Sequence, residues 1–361
     1  MPDETLRDSS TSARPWLVRI PEVFAGLAAE ILSGAGAAGA TRLGPDYYLL
    51  KSLAPDALSA PENALFVRWQ LPMDHTWPCH AREMDGFIEK AAQTLARKFA
   101  PRQPQGVFIG QLNPGSPDRY YKSLASNLRG RTLQLFPGLT AAAVEDQNAA
   151  AGSLFCLVGK EGLFCGFSTP RAANGWYPGG SKFMALDGPD TISRAGAKLA
   201  EALHYLPLHR PVPAEGAHWL ELGACPGGMT FELLTRGQRV TAVDRAPLDR
   251  RLQHRDGLTF VPADVADYTP PPAAVFDAML SDLNGPPDDS LRHVLRLSKF
   301  LRPGGLVIFT LKLPGVETLA EIRSLFRRAV SFAAGGGLRL LAQTHLTSNR
   351  REFTLFFERS V

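Results

Sequence analysis

Residues 218–230 read HWLELGACPGGMT. An apolar run of strand length ends at Gly223, and a helix opens near Gly228. Glycines at such a strand-to-helix turn allow tight turning and close approach of the backbone to a ligand. The free N–H groups at the helix start favour an anionic group such as a carboxylate. The spacing is GxxxGG rather than the GxGxxG of a standard dinucleotide turn. Outward from this turn, strand-like runs recur at RVTAVD (239–244), LTFVPAD (258–264), FDAMLSDL (276–283) and GLVIFTLKL (305–313). Helical stretches lie between several of them, most clearly SLRHVLRLSKFLR (290–302). The pattern predicts an α/β fold with a parallel, doubly wound, Rossmann-like sheet. At the end, LRLLAQTHL (338–346) and EFTLFFERS (352–360) are joined only by TSNRR. They predict a hairpin that makes one edge strand antiparallel.

Acidic residues follow in phase. Asp244 ends the second strand, 21 residues after Gly223, where a carboxylate accepts hydrogen bonds from ribose hydroxyls. Asp264 ends the third strand, within reach of a base edge. Such a site takes a ligand with a ribose, a base and a carboxylate but no phosphate clamp. S-adenosylmethionine meets that description. Gly223, Cys225, Pro226, Gly227 and Gly228 supply the backbone of the turn, and Cys225 reads as a small packing residue. The plainer alternative is a set of βα-turn glycines and strand-end acids with no ligand.

The part before the sheet has another texture. VFAGLAAEILSGAG (23–36), REMDGFIEKAAQTLARKFA (82–100) and DRYYKSLASNLRG (118–130) have helical spacing. PDYYLLKSL, ALFVRWQLP and GVFIGQLNP read as strands, and LFCLVGKEGLFCGFST (154–169) as a hairpin turning at Gly159–Gly162. RAANGWYPGGSKF (171–183) reads as a Gly-rich loop. The division expected is a disordered tail over 1–14, an α+β region over 15–185 and the Rossmann-like domain over 186–361. A chain of 361 residues with 45% hydrophobic content suits two such domains and excludes wholesale disorder. The net charge, 39 − 35 = +4, permits a nucleic-acid partner without demanding one. Four cysteines without a CxxC pair argue for reduced thiols and a cytoplasmic protein. No membrane-length apolar run and no signal-peptide pattern is present. His75, Cys79 and His80 fit no zinc spacing, and no metal is expected.

ELGACPGGMT resembles the cofactor loop of the FtsJ-like ribose 2′-O-methyltransferases. Together SRAGAKLAEAL, LGACPGG, LKLP and RREFTLFF are similar to the ribosomal RNA large subunit methyltransferase M family. The likeness runs from about residue 165 to the end and is weak over 15–150. It implies methylation of a cytidine ribose in large-subunit (23S) ribosomal RNA or its precursor, with S-adenosylmethionine as cofactor and a THUMP-like RNA-binding region ahead of the catalytic domain. It also implies a catalytic tetrad of Lys198, Asp282, Lys312 and Glu352, with Ser193 at the cofactor. Two departures stand out: Met229 where Trp is usual, and Glu221 where Asp is usual. Glu221 is one methylene longer and still a candidate for the cofactor amine.

The residue types suit the reaction. A ribose hydroxyl is a weak acid and must lose its proton as it attacks a methyl on sulfonium. A lysine serves as base where desolvation or a second cation disfavours its ammonium form. Lys312 is the candidate base and Lys198 the second cation; Asp282 and Glu352 orient them, or Asp282 contacts the cofactor amine. Arg119, Tyr120, Tyr121 and Lys122, with Arg129 and Arg131, mix basic and aromatic groups, as do Arg171, Trp176, Tyr177 and Lys182. Such mixtures suit RNA backbone neutralisation and base stacking, or simply a solvated helix face and a pinned loop. Arg350 and Arg351 beside Glu352 are candidates to hold RNA near the chemistry, and Arg323, Arg327 and Arg328 form a basic helical patch. Two rival functions are a small-molecule O-methyltransferase and an RNA-binding protein with an inactive methyltransferase domain.

Overall fold

The computed structural model describes residues 14–53, 57–58, 60–116, 118–139, 148–180 and 191–360. Residues 1–13 of the expected tail and Lys182 lie outside the described residues. Arg14, the last residue assigned to that tail, pairs with Asp74.

The first sheet is antiparallel. Its strands β1 (Trp16–Arg19), β2 (Ala38–Leu43), β3 (Tyr47–Ser52) and β4 (Trp69–Pro72) lie in the order β2-β3-β1-β4. Helices α1 (Ala28–Gly34) and α2 (Pro61–Ala64) accompany it. The helical run expected from residue 23 begins as a 3₁₀ stretch, Glu22–Leu27, with Phe24 turned inward against Phe66 and Phe353 at 5.3 and 5.2 Å between ring centroids. The second sheet contains β5 (His75–Trp77), β6 (Gly106–Gln111), β7 (Ser153–Gly159) and β8 (Gly162–Ser168) in the order β5-β8-β7-β6. The β7–β8 turn falls at Gly159–Gly162, with Gly162 at φ +116°. Two helices, α3 (Phe87–Phe99) and α4 (Tyr120–Gln134), enclose a separate core with this sheet. Helix α3 starts five residues later than its spacing suggests, because Gly86 takes the left-handed conformation at φ +65°.

After α5 (Pro170–Ala173) and α6 (Ala195–Tyr205) comes the Rossmann-like sheet. Strands β9 (His218–Leu222), β10 (Arg239–Asp244), β11 (Leu258–Pro262), β12 (Phe276–Ser281) and β13 (Leu301–Lys312) run parallel. Helices α7 (Gly228–Thr235), α8 (Pro287–Ser298) and α9 (Leu319–Gly335) cover its faces. The last hairpin, β14 (Leu338–Thr344) and β15 (Glu352–Arg359), completes the order β11-β10-β9-β12-β13-β15-β14. The hairpin does close the sheet edge, but its antiparallel member is β15, one place in from the edge. Burial explains the order. Phe353, Leu355, Phe356 and Phe357 are fully buried on both faces of β15, whereas β14 carries the half-exposed Leu341 and Gln343 and takes the rim.

Alternate residues of the central strands face opposite cores. Leu220, Leu222, Val307 and Phe309 join one, with α8 and α9; Trp219, Ala278, Leu306 and Ile308 join the other, with α6 and α7. The N-terminal sheet feeds both: Val18, Ile20 and Leu50 enter the first core, and Leu17, Tyr47 and Trp69 the second. Strands β4 and β8 cross where Gly166 lies so close to Pro72 that a Cβ would sit 2.0 Å from the Pro72 carbonyl oxygen. Gly166→Ala is therefore expected to lower the unfolding free energy by about 1–3 kcal/mol, read as a lower denaturant midpoint.

Candidate active site

The carboxyl ends of the parallel strands open into a cavity of about 370 Å³. Its floor is the turn after β9. Gly223 sits at φ +80° and Gly227 at φ +106°, which only glycine adopts at little cost. Space is equally limiting: a Cβ on Gly227 would lie 2.2 Å from Leu252 Cδ1, and one on Gly228 2.1 Å from Ser193 Oγ. Asp244 stabilises the turn, its Oδ2 accepting from the Cys225 backbone N–H at 2.9 Å. Ser193, Gly223, Cys225, Pro226, Gly228, Asp244, Asp264 and Asp282 all line the cavity; Gly227 lies behind it. The Ser193 hydroxyl is buried and has no hydrogen-bond partner among the described residues. Asp264 meets Arg245 at 3.5 Å in an exposed pair.

Beside the cavity, four charged groups from four elements converge. Lys198 of α6 donates to Glu352 Oε1 at 2.8 Å and to Asp282 Oδ1 at 3.2 Å. Lys312, at the end of β13, is 3.2 Å from the same Asp282 Oδ1 and 3.8 Å from Glu352 Oε2. It also donates to Asn284 Oδ1 at 2.9 Å. The Lys198 side chain is 9% exposed and that of Lys312 23%, so Lys198 is the inner cation. Two positive and two negative groups thus offset one another in a partly desolvated cluster. A second groove, of about 520 Å³, begins on the far side of Lys312, walled by Pro286, Pro287 and Pro314 and edged by Arg351 and Glu352. Lys312 lines both spaces.

The short sequence signals around this cluster left some of its parts unseen. Asn284 reads as a turn residue in an Asn-Gly pair until the fold brings it to Lys312. Asn349, with its amide turned to face the carboxylate, donates to Glu352 Oε1 at 3.3 Å. Burial lowers the His345 imidazole to about 4, and the neutral ring lies 3.0 Å from the Arg350 carbonyl across the β14–β15 loop. Glu221 is almost fully buried and accepts from Thr230 Oγ1 at 2.7 Å. Burial pushes its carboxyl up to about 8, and nearby Asp282 and Asp244 act in the same direction.

The basic residues fare unevenly. Arg119 and Lys122 are exposed at the start of α4, while Tyr120 lies under the Arg82 guanidinium at 5.0 Å and against Tyr121. None of them lines the cavity. Arg129 donates to the Val107 carbonyl, and Arg131 pairs with Glu89 at 2.7 Å. Arg171 donates to the Leu208 carbonyl, and Tyr177 stacks on His204. Trp176 is 3% exposed and belongs to the core, so for this residue the pinned-loop alternative holds rather than base stacking. On α9, Arg327 and Arg328 are exposed, Arg328 donating to Ser324 Oγ. Arg323 donates to Asn63 and Arg327 pairs with Glu62, fastening α9 to α2. Arg350 and Arg351 are exposed next to the charged cluster, Arg351 being bonded to the Val316 carbonyl. Among the described residues no group of His, Cys, Asp and Glu has the geometry of a metal site, and no helix is long and apolar enough to cross a membrane.

The turn, the cavity and the elements from α6 to the first half of α9 lie within residues 191–327, which match the family described as FtsJ-like methyltransferase. Over a longer span the chain is similar to ribosomal RNA large subunit methyltransferase M of Shewanella loihica, 27% identical across 76% of this chain and 80% of that protein. The protein of the same name from Pseudomonas fluorescens is 31% identical across 47% of this chain and 48% of its own length. A weaker likeness, at TM-score 0.37 and 16% identity, covers 96% of this chain and 100% of TrmN from Thermus thermophilus.

Within the methyltransferase domain, the Glu221 carboxyl binds its proton more tightly in the folded than in the unfolded chain. Its contribution to stability is full below the ordinary carboxyl range and is lost as pH rises through about 8. Melting curves of the ligand-free protein should therefore show Glu221→Gln losing less stability than the parent between mildly acidic and mildly alkaline pH. Parallel losses in the two proteins would refute the assignment.

Proposed function

We propose that the chain is an S-adenosylmethionine-dependent RNA 2′-O-ribose methyltransferase acting on large-subunit ribosomal RNA, with a cytidine ribose as its target. The observation that carries this reading is the Lys198–Asp282–Lys312–Glu352 cluster at the junction of two spaces, one suited to the cofactor and one to a nucleotide. The first space fits S-adenosylmethionine on its own chemistry. Asp244 would accept from the ribose hydroxyls, Asp264 would meet the base edge, and the Ser193 hydroxyl and the start of α7 would hold the carboxylate. Glu221 lies deeper, where a buried carboxyl held protonated by desolvation becomes a carboxylate once an ammonium group approaches.

The bound cofactor supplies a methyl group on a positively charged sulfur. Lys312 stands where a hydroxyl entering from the proline-walled groove would meet it. There it would take the 2′-hydroxyl proton as the ribose oxygen bonds to the methyl carbon and the C–S electron pair returns to sulfur. Lys198, held by both carboxylates, is the inner cation of the cluster. Asp282 Oδ1 contacts both lysines at 3.2 Å and fixes their separation. Arg350 and Arg351 are placed to bind the RNA backbone. The region over 15–185, in this reading the THUMP-like RNA-binding part, offers Arg119, Tyr120, Lys122 and Arg171 as further contacts.

Incubation of the protein with methyl-labelled S-adenosylmethionine and unmodified large-subunit RNA, followed by alkaline digestion, tests the reaction. Label is expected in an alkali-resistant dinucleotide, because a 2′-O-methyl group blocks cleavage of its own linkage. Label in mononucleotides would mean base methylation and defeat the reading; labelling of small molecules instead of RNA would favour the small-molecule rival. Lys312→Ala should lower kcat by about 100-fold or more with little change in cofactor affinity. Asp244→Ala should instead weaken cofactor binding about tenfold or more by calorimetry.

A further inference from the structure

We propose that Arg68 and Glu201 are positioning residues for the Glu352 carboxylate, so that the N-terminal sheet helps to set the geometry of methyl transfer. The inference rests on the methyl-transfer reading of the site. Arg68 lies just before β4, and Glu201 lies on α6 one turn beyond Lys198. The two form an ion pair at 2.8 Å with both side chains 3% exposed. Each also grips the β14–β15 loop. Arg68 Nη1 donates to Thr344 Oγ1 at 2.8 Å, where β14 ends. Glu201 accepts from the Thr347 backbone N–H and from the Thr347 hydroxyl, both at 2.9 Å. The loop then runs through Asn349 to Glu352, which meets Lys198 on the same helix.

Helix α6 therefore holds the loop at two points, Glu201 to Thr347 and Lys198 to Glu352. The first fixes the register in which the second forms. A buried ion pair is a poor source of net stability, since apolar residues of similar volume pack such interfaces as well or better. Its hydrogen bonds have direction, however, and here they converge on the segment that delivers Glu352. Apolar packing would hold the sheet against α6 without specifying where residue 347 lies. Because Arg68 leads into β4, a disturbance of the N-terminal sheet reaches the charged cluster through this directional ion pair as well as through the packing of Phe24 and Phe66 on Phe353.

The test uses the full chain and the RNA methylation assay. In Arg68→Met/Glu201→Leu no unpaired charge remains buried, so the protein should melt near the parent temperature. Its kcat is expected to fall roughly tenfold or more, as for a slightly misplaced catalytic group. KM for RNA and for S-adenosylmethionine should stay within about twofold. The exposed Thr347→Val, which removes one of the two loop bonds, should show a smaller fall of the same kind. Arg68→Lys, which keeps the cation, should recover activity relative to Arg68→Met. A folded double variant with parental kcat, or one altered only in KM, would overturn the proposal. If the double variant does not fold, an unchanged kcat in Thr347→Val overturns it and a reduced kcat at constant KM supports it. Parental protein that places no label in ribose overturns the methyl-transfer reading itself, and this inference with it.

Discussion

Lys198 is nearly buried, and a buried ammonium survives only where opposite charge and hydrogen-bond acceptors surround it. That requirement organises this end of the molecule. Asp282 must arrive from the end of β12 and Glu352 from the start of β15, each within 3.2 Å of the same nitrogen. Lys312 can then occupy the outer position on β13, because two carboxylates rather than one are present to offset a second cation. The place of β15 between β13 and β14, which its burial favours, also serves this need: the β13–β15 register sets Lys312 directly opposite Glu352. On the rim of the sheet the glutamate would be a full strand further from the lysine.

The cofactor side is governed by steric exclusion instead of charge. The turn after β9 approaches α6 so closely that Gly196 and Gly228 lie nearly in backbone contact, a Cβ on Gly196 falling 2.8 Å from the Gly228 carbonyl oxygen. That contact joins α6 to the start of α7, and hence Lys198 to the glycine-rich turn. One helix therefore carries the inner cation, closes the cofactor cavity and, through Glu201, anchors the β14–β15 loop. The glycine-rich turn and the inner cation are thus placed by a common rigid element.

The N-terminal sheet is integral to this arrangement. It fills both hydrophobic cores beside the methyltransferase sheet, and Arg68 extends its polar contacts to the loop before Glu352. The α3–α4 layer, by contrast, encloses its own core and carries Arg119 and Lys122 outward. An RNA bound there would act on the site through the first sheet, by way of β4 and β8, rather than by touching it.

Local sequence determined a good deal. The strand-to-helix turn at 218–230, the parallel alternation after it and the tight β7–β8 turn each follow from period, length and glycine placement within about a dozen residues. The strand-end positions of Asp244, Asp264, Asp282 and Lys312 follow from the same pattern, since a strand fixes which residue stands at its mouth. Other features rest on contacts between residues far apart in the chain. The place of β15 inside the sheet, the burial of Trp176, the diversion of Arg323 and Arg327 to α2, and the roles of Asn284 and Asn349 are of this kind. An arginine in a sequence reads as surface charge whether it meets solvent or, like Arg68, a glutamate 133 residues away. Periodicity reports which face of an element is apolar; only the packed structure decides which partner a polar group finds, because that choice depends on three-dimensional distance and on the exclusion of water.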